Sequence, residues 1–119
     1  MTRWVKLAVG LRGMVNDMLS EKDSEFLNYL SDASEAGKIR WQPTAGENQF
    51  TASLKGKYNV VTGTDHDGPW VKMTNEQDQM MLFIHANEDP FNRVDRIFVA
   101  ARRVGLDVDA AIDDIISGE

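Results

Sequence analysis

The segment from residue 39 to residue 84 most constrains the fold, because it reads as a run of short strands separated by polar, glycine-containing turns. Residues 50–54 alternate apolar and polar side chains, which is the period-two pattern of a strand with one buried face. Residues 58–62 and 70–74 favour a pleated surface through their β-branched and aromatic side chains. Residues 80–84 are apolar throughout, as in a strand covered on both faces or an edge in need of a partner.

The links between these segments are short and carry turn-forming residues. Lys55-Gly56-Lys57 supplies a glycine for the positive φ that tight hairpin turns need. Residues 39–41 are apolar at alternate positions and predict a further short strand at the start of the block. Strands joined by such short links are usually antiparallel neighbours, so the pattern predicts a meander of three or four strands.

An amphipathic helix is predicted over residues 3–19, before the strands. Its apolar stripe has the i, i+3, i+4, i+7 spacing and consists of Trp4, Leu7, Ala8, Leu11, Met14, Val15 and Met18. Such a stripe packs on the chain's own core, docks on a partner or second copy, or lies on a membrane surface. Gly10 and Gly13 inside the helix argue against the membrane. After a polar break at residues 20–23, a second helix is predicted over residues 24–36, with Gly37 as its C-terminal cap.

Two more helices are predicted after the strands. Asp89 followed by Pro90 indicates a helix start, and that helix is expected to end at residue 104 with Gly105 as its cap. Asp107 then caps a short helix over residues 108–117. Its apolar side holds Val108, Ala111, Ile112, Ile115 and Ile116, and its acidic side holds Asp109, Asp113 and Asp114.

These elements predict an α+β fold with two N-terminal helices, a three- to four-stranded antiparallel meander, and two C-terminal helices packed on one face. We divide the chain into residues 1–22, an N-terminal helix able to dock or dimerise, and residues 23–119, a single α+β domain.

Composition narrows the classes of function. The 119 residues contain no cysteine, which excludes disulfides and thiolate metal sites. A net charge of −6 argues against binding a nucleic-acid backbone. No apolar run approaches a membrane span, and Arg12 ends the apolar residues 7–11 too early for a signal peptide. We therefore predict an unprocessed cytoplasmic protein with no membrane partner.

The densest polar cluster is the turn Asp65-His66-Asp67, whose carboxylates and imidazole are suitable metal ligands. Adjacent residues in a turn rarely all point at one ion, and turn chemistry explains the composition. His85 lies near Glu88 and Asp89, where a histidine could titrate near neutral pH, but a surface or capping role explains it better. No metal and no cofactor are predicted.

Arg93, Arg96 and Arg103 recur on one face of the helix that follows the strands. They form a solvated face, partly paired through Asp89 and Arg93 at i, i+4, or a weak site for a carboxylate, a phosphate or a nucleic-acid backbone. Two strand tryptophans, Trp41 and Trp70, are expected in the core unless one is exposed as a binding anchor.

From residue 38 onward the chain resembles a group of short, uncharacterised bacterial proteins. The resemblance is carried by Trp41, Thr44, Phe50, Ala52, Leu54, Ala101, Arg102, Arg103, Asp107, Ala111 and Ile112. No activity is known for the group, so the resemblance implies a bacterial or phage setting and no functional residue.

No catalytic motif is present: the chain lacks a G-x-S-x-G elbow, a P-loop and a G-x-G-x-x-G loop. We expect a small, acidic, non-enzymatic module that binds another protein, itself included as a homodimer, in the manner of an accessory, inhibitor or immunity factor. The expected partner-binding residues are Trp4, Leu7, Leu11, Met14, Met18, Asp109, Asp113 and Asp114.

The alternative function is a small-ligand or metal-binding protein, or an enzyme. It would use the Asp65-His66-Asp67 turn or the face of Arg93, Arg96 and Arg103. A third reading, a nucleic-acid mimic or binder, predicts association that is sensitive to salt.

Overall fold

The computed structural model describes residues 19–118. It contains three α-helices, which are α1 (Glu21–Glu35), α2 (Arg93–Gly105) and α3 (Val108–Ser117). Five strands precede α2: β1 (Gln42–Pro43), β2 (Phe50–Leu54), β3 (Tyr58–Asp65), β4 (Gly68–Thr74) and β5 (Met80–His85). A 3₁₀ turn, Ala86–Glu88, links β5 to α2. The α+β class is confirmed. The helix predicted over residues 3–19 lies almost wholly outside the described residues.

The five strands form one antiparallel sheet in the order β1-β2-β3-β4-β5, so the meander is confirmed and its size is corrected to five strands. The register aligns side chains in rows across the sheet, and one row joins Phe50, Thr62, Val71 and Ile84. All four of these residues are buried, because the row lies on the face that the helices cover. The pairing of β4 with β5 contains a bulge near Met73.

The first strand lies later in the chain than its pattern predicts. Residues 39–41 are not a strand; the pairing with β2 is made by Gln42–Pro43. Ile39 and Trp41 are buried in the core instead, and the Trp41 ring Nε1 donates a hydrogen bond of 3.1 Å to Ser34 Oγ on α1. Their apolar pattern therefore marks core residues, and Trp41 contacts α1.

The helix α1 begins earlier than predicted. Ser20 is its N-cap, and its side-chain oxygen accepts a hydrogen bond of 3.0 Å from the Asp23 amide, so residues 21–23 are helical instead of forming a break. The boundary drawn at residue 22 thus falls in the first turn of α1. Gly37 follows the helix with φ 76°, as its capping pattern predicts.

Both ends of α2 differ from the sequence prediction. The helix starts at Arg93, not Pro90, because Asn92 occupies the N-cap position in the left-handed region with φ 59°. Asp89 still caps the helix from outside: its Oδ2 accepts a hydrogen bond of 2.9 Å from the Val94 amide. Gly105 is the last helical residue rather than a left-handed cap. A Cβ at this position would collide with the ring of Phe50.

The core lies between one face of the sheet and the pair α1–α2. Its apolar members are Leu27, Leu30, Ala33, Ile39, Trp41, Phe50, Ala52, Val60, Val71, Ile84, Val94, Ile97 and Ala101. The helix α3 occupies the predicted residues, but it contributes none of them to the core. Two C-terminal helices packed on one face were expected; α2 packs there and α3 does not. The Asp107 side chain also makes no capping hydrogen bond to α3, contrary to its prediction.

Candidate functional site

The helix α3 presents its apolar side chains to solvent. Ile112 is 41%, Ile115 67% and Ile116 70% exposed, and no residue of α3 is buried. An isolated helix shorter than about 12 residues is marginal in water, and most helical stability in proteins comes from packing an apolar face. A ten-residue helix with an uncovered apolar side therefore forms a surface suited to an additional partner.

A cleft of about 590 Å³ lies between the end of α1, α2 and the start of α3. Val99, Ala100 and Val104 of α2 line this cleft, together with Glu35 at the end of α1 and Asp109 at the start of α3. Val99 is 64% exposed. We use the name α2–α3 surface for the exposed residues Val99, Val104, Leu106, Ile112, Ile115 and Ile116.

Carboxylates border the α2–α3 surface. Asp109, Asp113 and Asp114, which were predicted to bind a partner, are all exposed on α3. Asp109 already has an intramolecular partner, since its Oδ1 accepts hydrogen bonds of 2.6 and 3.1 Å from the Arg103 guanidinium. Residues 106–118 include four aspartates and no lysine or arginine; because Arg103 pairs with Asp109, the charge that a basic segment would meet here comes from Asp107, Asp113 and Asp114.

A second ion pair closes the other side of the cleft. Arg96 on α2 donates hydrogen bonds of 2.7 and 3.0 Å to the Glu35 carboxylate on α1. These bonds lower the pKa of Glu35, and they raise that of Arg96. Because a carboxylate of this chain already occupies the guanidinium, a second anion would have to compete with it.

Arg93 lies in the protein interior, where only 4% of its surface is exposed. Its guanidinium donates to Asp89 Oδ1 at 2.9 and 3.0 Å, to Ser24 Oγ at 2.7 Å and to Asn28 Oδ1 at 3.0 Å. The expected pairing of Arg93 with Asp89 is therefore present, but as a buried link between α1 and α2. Arg93, Arg96 and Arg103, predicted as an anion-binding face, are each bonded to a carboxylate of this chain.

The environment of Asp89 keeps it ionised. Burial acts to raise its pKa, but hydrogen bonds from Arg93 and from the amides of Val94 and Phe91 outweigh burial, so the pKa is lowered. The carboxylate thus supports the start of α2 and the interface with α1 at once.

The three residues of the turn Asp65-His66-Asp67 are exposed, and their potential ligand atoms lie within 4.8 Å of one another. Asp65 Oδ1 accepts a hydrogen bond of 2.9 Å from the Asp67 amide, as in an Asx turn. That bond, followed by the His85 side chain at 3.1 Å, lowers the pKa of Asp65. The turn's own hydrogen bonds explain its shape.

Sequence reasoning missed the contact between His85 and Asp65. It placed His85 next to Glu88, and the Glu88 carboxylate does accept a hydrogen bond of 2.8 Å, but from the His85 backbone amide. The ring meets Asp65 because β3, β4 and β5 are adjacent: His85 lies opposite Trp70, and Asp65 lies opposite Gly68. Strand order was the only available signal for this contact.

Neither strand tryptophan is an exposed anchor. Trp41 is 2% and Trp70 8% exposed. Trp70 stacks on Phe83 of β5 with ring centroids 5.6 Å apart. Beside this stack, the edge strand β5 exposes Met80 and Met81, which form a second and smaller apolar patch. The predicted partner-binding residues Trp4, Leu7, Leu11, Met14 and Met18 lie outside the described residues.

Among the described residues, no helix has the length and apolar character needed to cross a membrane. Comparisons with protein-family models, with curated proteins and with solved structures gave no match.

Proposed function

We propose that this chain is a non-enzymatic protein-interaction module that binds a basic, amphipathic segment of another protein on the α2–α3 surface. The observation that carries the proposal is the uncovered apolar side of α3, where Ile115 and Ile116 are each about two thirds exposed. Burying one such side chain is worth about 1.5–3 kcal/mol, so a partner covering this helix gains substantial free energy.

The chemistry of the surface indicates the kind of partner. An apolar strip flanked by Asp113 and Asp114 suits a helix that carries apolar residues on one side and lysine or arginine beside them. The apolar contacts would supply most of the affinity, while the aspartates would speed association and make it sensitive to salt. A role as an accessory, inhibitor or immunity factor in a bacterial or phage setting rests on the resemblance from residue 38 onward.

The test compares two variants of the full-length chain, each of which replaces two neighbouring, exposed apolar side chains. Ile115→Ser/Ile116→Ser alters α3, and the control Met80→Ser/Met81→Ser alters the exposed patch on β5. A protein captured from the source cells is identified, purified and titrated against each variant by calorimetry at two salt concentrations. We expect the α3 variant to lose at least about tenfold in affinity, which corresponds to about 1.4 kcal/mol. The β5 variant should bind like the parent.

Equal binding by the α3 variant and the parent would refute the assignment of the surface. Loss of binding in the β5 variant alone would move the interface to the sheet edge. Light scattering on the same samples tests the homodimer, because a dimer formed through α3 dissociates in Ile115→Ser/Ile116→Ser and persists in the control.

A further inference from the structure

We propose that the cleft between the end of α1, α2 and the start of α3 binds a small organic cation, namely a linear aliphatic diamine or polyamine. This ligand site differs from the protein-binding surface proposed above, because the cavity would hold the ligand and the exposed isoleucines would not contact it. The two share only Val99 and Val104. Volume, apolar lining and unpaired carboxylates each support the assignment.

The cleft has the size of a site for a small molecule. Its volume of about 590 Å³ falls within the range of about 300–1,000 Å³ that is typical of ligand pockets. Val99, Ala100 and Val104 of α2 supply its apolar lining, and Val99 and Val104 remain 64% and 41% exposed. The methylene groups of a ligand would remove these side chains from water, which favours binding.

The charged groups of the cleft leave an excess of negative charge. Four carboxylates and two guanidinium groups line it, which gives a net charge of −2, and the residues are Glu35, Asp95, Asp107, Asp109, Arg96 and Arg103. Arg96 pairs with Glu35. Arg103 pairs with Asp109, so both positive charges already have partners in this chain. The cleft therefore attracts a cation and disfavours an anion.

Asp95 and Asp107 supply the excess charge. Among the described residues, neither carboxylate has a hydrogen-bond or ion-pair partner. Asp95 lies in the first turn of α2, where the helix dipole favours a carboxylate but leaves its oxygens free to accept. Asp107 lies between α2 and α3, and its side chain does not cap α3. Two ammonium groups of one ligand could each donate to one of these carboxylates.

The spacing of the two carboxylates favours a linear ligand. Asp95 precedes Gly105 by ten residues of α2, or about 15 Å along the helix axis, and Asp107 follows two residues later. A single metal ion lies within about 2.0–2.6 Å of its oxygen ligands and cannot bridge this separation. A polyamine can, because a hydrogen bond of about 2.8 Å extends its reach at each end while its methylene groups lie along Val99 and Val104.

Calorimetric titration of the full-length chain with spermidine tests the assignment at about 0.1 M salt, where exposed charges more than about 10 Å apart are largely screened. Asp95→Asn/Asp107→Asn removes both charges, and asparagine also tolerates the left-handed backbone of residue 107, with φ 55°. The control Asp113→Asn/Asp114→Asn removes the same charge from side chains of α3 that do not line the cleft. We expect the first variant to lose at least about tenfold in affinity for spermidine, and the control less than about twofold.

Equal losses in the two variants would indicate a general attraction of spermidine to an acidic protein and would overturn the proposal. Two competitors examine the chemistry of the ligand. Magnesium supplies positive charge without methylene groups, and azelate supplies methylene groups with negative charge, so neither should displace spermidine at an equal concentration. Displacement by magnesium, or a parent chain that does not bind spermidine, would also contradict the assignment.

The variant Ile115→Ser/Ile116→Ser separates this site from the proposed function, because the two side chains do not line the cleft. It should bind spermidine like the parent while losing the protein partner. If it retains the partner and Asp95→Asn/Asp107→Asn loses spermidine, the proposed function fails and the ligand site stands. If it loses the partner and the parent does not bind spermidine, the ligand site fails and the proposed function stands.

Discussion

The helices α2 and α3 are neighbours in the chain, and both are amphipathic, yet they occupy opposite environments. α2 buries Val94, Ile97 and Ala101 against the sheet and α1, whereas α3 has no buried residue. The distinction does not come from the pattern of apolar residues, because both helices have a clear apolar side. An amphipathic pattern thus shows that one face of a helix favours burial, but it does not show which element or partner buries that face.

The ion pairs of α2 and α3 also differ in burial. Asp89 and Arg93 are buried, and their hydrogen bonds join α2 to α1. Asp109 and Arg103 connect α3 to α2 with comparable distances, but their side chains are 76% and 55% exposed. The same pair of residue types therefore contributes very differently to stability, because water screens the second pair and not the first.

The largest effect is expected at the buried pair. Asp89→Asn leaves the Arg93 guanidinium buried without its counter-charge, which should lower the free energy of unfolding by about 3–5 kcal/mol. The matched change Asp109→Asn at the exposed pair should cost less than about 1 kcal/mol. Urea unfolding of both variants measures the difference, and equal losses would contradict the assigned environments.

The next effect concerns the packing of α2 on the sheet. Gly105→Ala would press a methyl group against the Phe50 ring, and overpacking of this kind typically costs about 1–3 kcal/mol. The double variant Gly105→Ala/Phe50→Leu should lose less than the sum of the two single changes, because the smaller side chain makes room. Thermal unfolding of all three variants tests this, and strict additivity would argue against the contact.

The free energy of unfolding should depend on pH through the carboxylate of Asp89. The folded pKa of Asp89 is lowered, so its stabilisation is present above the unfolded value of about 4 and is lost as the pH falls through the folded value. Unfolding free energies measured from pH 7 down to pH 2 should therefore stay level at first and fall below about pH 4. Asp89→Asn should flatten part of that fall, and an unchanged slope would refute the role of this group.

The smallest effects are expected when one methyl group is removed from a single isoleucine on α2 or on α3. Ile97→Val in the core should cost about 0.5–1.5 kcal/mol. Ile115→Val on α3 should cost less than about 0.5 kcal/mol, because solvent faces this side chain. Denaturant midpoints of both variants measure the difference, and equal losses would contradict the exposure of α3.

The local features of the sequence predicted much of this fold. The alternation in residues 50–54 gave the inner face of β2, and the bounds of α3 follow from its periodic isoleucines. Contacts between residues far apart in the sequence could not be predicted. Arg93 was expected on a solvated face because nothing in its neighbourhood indicates that Ser24 and Asn28 of α1 lie beside it. Trp41 likewise has a strand pattern, although it lies outside the strand and donates a hydrogen bond to Ser34 of α1.

Only part of the candidate surface could be predicted from the sequence. The acidic side of α3 was visible in the spacing of Asp109, Asp113 and Asp114, but the exposure of its apolar side was not, because helix periodicity carries no information on tertiary packing. The cleft beside Glu35 depends on how α1 packs against α2, which no local pattern encodes.

The bulge in the β4–β5 pairing has a consequence for solubility. Met73 pairs with Leu82 and Thr74 with Met80, so Met81 is the extra residue, and it lies on a strand whose other edge is unpaired among the described residues. Open edges invite strands of other molecules to add on and nucleate fibrils, and a bulge counters this by increasing the twist of the edge. The extra residue at Met81 should therefore make this apolar edge a poorer template for an added strand.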